Sequence, residues 1–126
     1  MLAVGVGSLV MRVLVCGGRE FYDLKFVHAT LDMIHAKTPI AVVIEGGARG
    51  ADDLAHSWAE RNNVALATFV ADWKLYGKRA GPIRNELMLR EGKPDLVVAF
   101  PGGDGTANMV RLAERALVPL IRPPPP

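Results

Sequence analysis

Three stretches of this chain place glycines beside polar side chains: Gly17-Gly18-Arg19, Gly46-Gly47-Ala48-Arg49-Gly50-Ala51-Asp52 and Pro101-Gly102-Gly103-Asp104-Gly105-Thr106. Glycine lets a ligand come close to the backbone. A helix that begins directly after such a turn presents free N–H groups and the positive end of its dipole, which favour an anion. The chemistry this implies is phosphate binding, by turn N–H groups and the Thr106 hydroxyl, with a charge-assisted contact from Arg19. The plainer alternative is that glycine turns merely join strands to helices. Three of them on one sheet edge weigh against it. The pattern is not a Walker A loop, because no Gly-Lys-Ser/Thr follows four variable residues. It is not the dinucleotide fingerprint either, since the first turn lacks Gly-x-Gly-x-x-Gly.

Other side chains extend the candidate site. Arg84 offers a bidentate fork for phosphate, and Asn85 can read a ribose or a base. Their spacing after Pro82 places both in the first turn of a helix, where solvated polar residues are also common. Trp73 lies beside Lys74, Tyr76, Lys78 and Arg79. It could stack a base, or pack its loop onto the core. Glu45 ends an apolar run and could accept from ribose hydroxyls or cap neighbouring N–H groups. Asp52 and Asp53 open a helix, where acids favour the dipole without any further role. His28, His35 and His56 lack zinc-site spacing, so no metal is expected. Cys16 reads as a buried small hydrophobe and Trp58 as core.

Alternating elements must position these residues. Apolar runs at 12–16, 40–44, 65–70 and 95–100 read as strands, with a short one near 119–121. Residues 24–36, 51–62, 82–91 and 106–115 read as helices. Pro82 suits the first helical position, Thr106 an N-cap, and residues 71–81 a long loop. Strand–helix alternation with near-continuous apolar strands predicts one Rossmann-like, three-layer α/β domain. Its five-stranded sheet is mostly parallel, with helices on both faces. Ligands bind such sheets outside the strands' carboxyl ends.

Composition sets the outer bounds. The chain has 126 residues, 13 glycines, 9 prolines and one cysteine, so no intramolecular disulfide can form. The net charge of +2 carries no footprint of a dedicated duplex-DNA binder. Half the residues are hydrophobic, which excludes a disordered chain. The apolar start is too short to span a bilayer and has no basic n-region, so a cytoplasmic protein without membrane attachment is expected. Met11 directly precedes a clean strand and reads as a plausible alternative start, with 1–10 an extension, 11–122 the domain and 123–126 a proline tail.

The combination of Gly-Gly-Arg-x-Phe (17–21), Gly-Gly-Ala-x-Gly-Ala-Asp (46–52), Trp73, Ala-Gly-Pro-x-Arg-Asn-x-x-Met (80–88) and Phe-Pro-Gly-Gly-x-Gly-Thr (100–106) resembles the SLOG superfamily. The resemblance is to its YspA-type, cpYpsA-related branch of small bacterial and phage proteins. It implies a Rossmann-like fold that senses or processes a nucleotide or a nucleotide-derived, ADP-ribose-like ligand. It also implies a homo-oligomer, because relatives commonly pair through helices. The third turn is similar to that of the LOG phosphoribohydrolases, which hydrolyse the N-glycosidic bond of nucleoside monophosphates. By that likeness Arg84 matches the catalytic arginine, with Glu45, Asp52 or Asp104 as substitute acids. Asn108 and Met109 stand where that family's glutamates are expected. DprA, which loads single-stranded DNA, shares the superfamily fold. A patch of Lys74, Lys78, Arg79, Arg84 and Arg90 would serve that third reading, which ranks behind a small-molecule ligand.

Overall fold

The computed structural model describes residues 10–125. The proposed extension therefore lies almost wholly outside the described residues. Pro123 to Pro125 carry no regular secondary structure.

Five strands are present: β1 (Met11–Cys16), β2 (Ile40–Glu45), β3 (Ala65–Thr68), β4 (Leu96–Ala99) and β5 (Leu120–Ile121). Their order in the sheet is β3-β2-β1-β4-β5, and every pairing is parallel. The expectation of a mostly parallel sheet becomes an entirely parallel one. Chain order runs outward from β1 to β3, then returns to place β4 on the other side of β1. The sheet thus reverses its winding between β1 and β4. That is the switch point at which an open α/β sheet leaves a crevice beyond its strand ends.

The period-2 alternation of β1 explains the two layers of helices. Val13 and Val15 face one side, packing with Val27 and Leu31 of α1 (Leu24–Lys37) and Ala55, Trp58 and Ala59 of α2 (Ala51–Arg61). Leu14 and Cys16 face the other side. There they meet Met88 of α4 (Ala80–Gly92) and Met109, Val110 and Ala113 of α5 (Asp104–Arg115). Trp58 is sealed in the first layer, and its indole N–H donates to Asp32 Oδ1 at 2.9 Å. Both cores bury near-continuous apolar strands, as a parallel sheet covered on each face requires.

The segment expected to be a loop, 71–81, is mostly helical. A one-turn helix α3 (Trp73–Tyr76) is capped by Asp72, whose Oδ1 accepts from Leu75 N at 3.0 Å. A 3₁₀ turn (Gly77–Arg79) leads straight into α4. Helix α4 therefore starts two residues earlier than Pro82 suggests. The proline occupies the third helical position, where a backbone N–H has no intrahelical partner to lose. Arg84 and Asn85 accordingly lie in the second turn of α4. Thr106 is likewise not an N-cap: α5 starts at Asp104, and Gly103 is its N-cap residue.

Candidate functional site

The three glycine turns meet at the carboxyl ends of β1, β2 and β4, and they pack on one another. Gly18 N donates to Pro101 O at 2.8 Å, and Ala51 N donates to Gly18 O at 3.1 Å. The first turn is thus clamped between the other two. A Cβ on Gly17 would sit 2.6 Å from the Ala51 Cβ, and one on Gly102 would strike Thr106 Oγ1 and lie 2.7 Å from Gly18 N. These glycines are needed for the turns to touch. Phe21 fixes the chain after the first turn by stacking on Phe100, with ring centroids 5.7 Å apart.

The turns differ in what they leave free. In the second turn, Gly46 N and Ala48 N both donate to Asp52 Oδ2, at 3.1 and 3.2 Å. Gly47 N donates to Glu45 Oε1 at 2.6 Å. These donors, with Ala51 N, already have partners inside the protein, against the expectation that they cradle phosphate. The third turn is different. Among the described residues, the N–H groups from Gly102 to Thr106 have no hydrogen-bond partner, and Gly103 supplies no side-chain cap. A Cβ on Gly103 or Gly105 would meet nothing within 4 Å. The open helix N-terminus is therefore that of α5.

A cleft of about 560 Å³ lies in front of it. Gly17, Gly18, Arg19, Ala48, Asp52, Trp73, Arg84, Asn85, Gly103, Gly105 and Thr106 of the expected site all line this cleft. Gly46 and Gly47 line a smaller adjoining chamber, with Ala48, Arg19, Trp73 and Arg84 shared. Gly50, Pro101 and Gly102 lie in the framework of the turns and line neither space.

Four cations face the larger cleft: Arg19, Lys78, Arg84 and Arg111. None of them forms a salt bridge among the described residues. The Arg84 guanidinium is held by Gly46 O (2.6 Å) and Phe69 O (3.4 Å) on Nη1, and by Asn85 Oδ1 (3.1 Å) on Nε. Nη2 has no partner among the described residues. Burial lowers the Arg84 pKa, and the positive charge of Arg19 adds to that effect, while Asp52 and Glu45 oppose it. The Arg19 guanidinium sits 5.2 Å from the centroid of the Trp73 ring. Trp73 itself is 47% exposed and belongs to neither core.

Asn85 is buried and fully engaged. Its amide donates to Gly105 O (3.2 Å) and Asn108 Oδ1 (2.9 Å), tying α4 to the third turn. It positions the site by fixing both Arg84 and the α5 N-terminus. Glu45 is sealed at 1% exposure, with Thr68 Oγ1 donating to its Oε2 at 2.5 Å and His56 Nδ1 3.4 Å away. Its carboxylate braces the second turn, and neither chamber is lined by it. At the two LOG-type acid positions, Asn108 lines the cleft and Met109 is sealed in the core. No cluster of His, Cys, Asp or Glu that could hold a metal ion occurs among the described residues.

Lys78, one of the basic residues beside Trp73, is brought into the cleft by the helical turns at 73–79. Arg111 also lines the cleft and is not among the residues expected from the sequence. Its signal was present: Asp104, Asn108 and Arg111 follow the i, i+4, i+7 spacing of one helix face.

Asp52 and Asp104 are the acids that line the cleft, and Asp52 is the buried one. Burial pushes its carboxyl up to about 6, with Glu45 adding to the rise and the Ala48 N–H, Arg84 and the Gly46 N–H opposing it. The native state then holds this proton more tightly than the unfolded chain, whose value is 3.8. Its contribution to stability is fully present below pH 4 and falls as pH rises through 6. Asp52→Asn removes that loss while keeping an oxygen for Gly46 N and Ala48 N. Urea unfolding should show the variant gaining on the parent between pH 4 and 7 by roughly 1–3 kcal/mol.

The fold and cleft define a doubly wound Rossmann-like domain with its open, cationic crevice at the sheet's switch point. The sequence pattern of YAcAr, the YspA, cpYpsA-related SLOG family, matches residues 11–76, and the chain belongs to that family. It is 42% identical over 118 residues to the Gene 61 protein of Mycobacterium phage D29, covering 87% of this chain and 94% of the phage protein. The fold is similar to that of DNA processing protein A (DprA) from Streptococcus pneumoniae, with a TM-score of 0.52 and 17% identity. That match covers 86% of this chain and 57% of DprA, so the chain spans little more than half of DprA's length. Among the described residues, no helix is long and apolar enough to cross a membrane.

Proposed function

We propose that the cleft binds the phosphate of a nucleotide or nucleotide-derived small molecule. The observation that carries this reading is the convergence of two guanidiniums that form no salt bridge among the described residues, Arg19 and Arg84, with the open N-terminus of α5 on one crevice. Arg84 is half-buried with the like charge of Arg19 acting on it, a combination that an arriving anion relieves. The exposed Trp73 ring at the mouth suits a base or sugar face. Membership of the SLOG family supports the same class of ligand.

Thermal unfolding with a panel of nucleotides tests the reading. A ligand at 100 times its Kd should stabilise the protein by about 2.7 kcal/mol, a rise in Tm of roughly 10 °C. The absence of any shift across mononucleotides, dinucleotides and nucleoside diphosphate sugars would contradict it.

A further inference from the structure

Asp52 carries an oxygen that the fold does not use. Its Oδ2 accepts from Gly46 N and Ala48 N and braces the second turn. Its Oδ1 has no hydrogen-bond partner among the described residues. Among those residues, no sealed side-chain nitrogen or oxygen lacks a partner. The Oδ1 atom therefore reaches the surface, and the surface that Asp52 lines is the cleft. The residue is only 7% exposed, so what it offers the crevice is this acceptor edge.

The cation of the site lies next to it. The Gly46 N–H donates to Asp52 Oδ2, and the Gly46 carbonyl accepts from Arg84 Nη1 at 2.6 Å. Asp52 and Arg84 are thus neighbours anchored on one residue. Each charge acts on the other, yet they form no salt bridge. A phosphate held by Arg84 Nη2 and the α5 N–H groups has Asp52 beside it. A second anionic group is disfavoured there, so the atom that meets Oδ1 is a neutral donor attached near the phosphate. In a nucleotide that donor is a sugar hydroxyl. A ligand without one covers the acceptor and returns no hydrogen bond, a loss that falls on deoxy analogues. Asp104, the other acid of the cleft, is exposed and stays hydrated, so it sets no such demand.

Resting on the phosphate reading above, we infer that Asp52 reads a ribose hydroxyl beside the bound phosphate and selects ribose phosphates over their deoxy counterparts. DNA offers Oδ1 no donor, because its sugars lack the 2′-hydroxyl and their 3′-oxygens are esterified.

Calorimetric titration of the full chain with AMP and 2′,3′-dideoxy-AMP tests this. AMP should bind at least about tenfold tighter. Asp52→Asn keeps an oxygen for the two turn N–H groups and replaces the charged acceptor with a neutral amide. In that variant the preference for AMP should shrink at least about threefold, with the dideoxy ligand gaining affinity. Ribose 5-phosphate separates the two sources of this chemistry. Binding as tight as that of AMP assigns the site to a free sugar phosphate, and weaker binding to a nucleotide whose base meets Trp73; either supports the hydroxyl reading when AMP outbinds its dideoxy analogue. Equal affinities for AMP and 2′,3′-dideoxy-AMP in the parent chain would overturn the inference while leaving the phosphate site standing. So would an equal change for both ligands in Asp52→Asn, the mark of a purely structural residue. Binding of none of the three would overturn both readings.

Discussion

Replacing Arg84 with alanine is expected to weaken phosphate-ligand binding by about 2–4 kcal/mol, on the order of 100-fold in Kd. The size follows from how the side chain is held. Gly46 O, Phe69 O and Asn85 Oδ1 fix two of its three nitrogens, so little side-chain entropy remains to be lost when Nη2 meets a ligand. Half-burial strengthens the charge-assisted contact. Arg84→Lys keeps the charge but loses the fork, and should recover only part of the affinity. Removing Arg84 also takes away a cation that lowers the Asp52 pKa, so the Asp52 carboxyl should titrate still higher. Calorimetry on the three proteins, with urea unfolding as a check on folding, measures these effects. Unchanged affinity in a folded Arg84→Ala would remove this residue from the site.

Gly50→Ala is expected to be the most damaging single methyl group in the turns, costing about 3–5 kcal/mol of stability. Gly50 has φ +79° and ψ −129°, a conformation that side chains rarely adopt. Its added Cβ would run into Gly18 O and lie 2.6 Å from the Arg19 carbonyl carbon. The three nearest atoms are all backbone, so no rotamer change relieves the clash. Relief would require moving the first turn away and breaking the Ala51 N to Gly18 O bond. Gly105→Ala is the matched comparison. Its Cβ meets nothing, and alanine favours the helix, so stability should hold or rise by about 0.5–1 kcal/mol. Urea midpoints for the two variants separate glycines that let turns pack from a glycine that leaves the cleft open.

That separation marks the limit of what the sequence could tell. The strands were legible because each is an apolar run bounded by glycine, proline or polar residues, as at Met11–Cys16 and Leu96–Ala99. The position of the crevice was legible too, since the glycine turns mark the strand ends. The three turns looked equivalent, and they are not. Asp52 and Glu45 turn back onto Gly46, Gly47 and Ala48, a tertiary choice that composition does not encode. Residues 71–81 looked like a loop because Gly77 and Pro82 punctuate them and charged residues fill the rest. The Asp72 cap and the hand-over through the 3₁₀ turn into α4 make them helical. Asn85 reads as a ligand contact because its type allows one; it lines the cleft, and the bonds of its amide to Gly105 and Asn108 of a neighbouring helix are tertiary contacts that the sequence does not show.

The central claim is that phosphate meets the third turn and not the second. Titrating ¹⁵N-labelled protein with ADP-ribose tests it at single amides. The account predicts saturable shifts that are largest at Gly103, Gly105 and Thr106, whose N–H groups are open. Gly46, Gly47 and Ala48, already bonded to Asp52 and Glu45, should move little. Saturable binding with its largest shifts at Gly46–Ala48, and an unperturbed Gly103–Thr106, would contradict it.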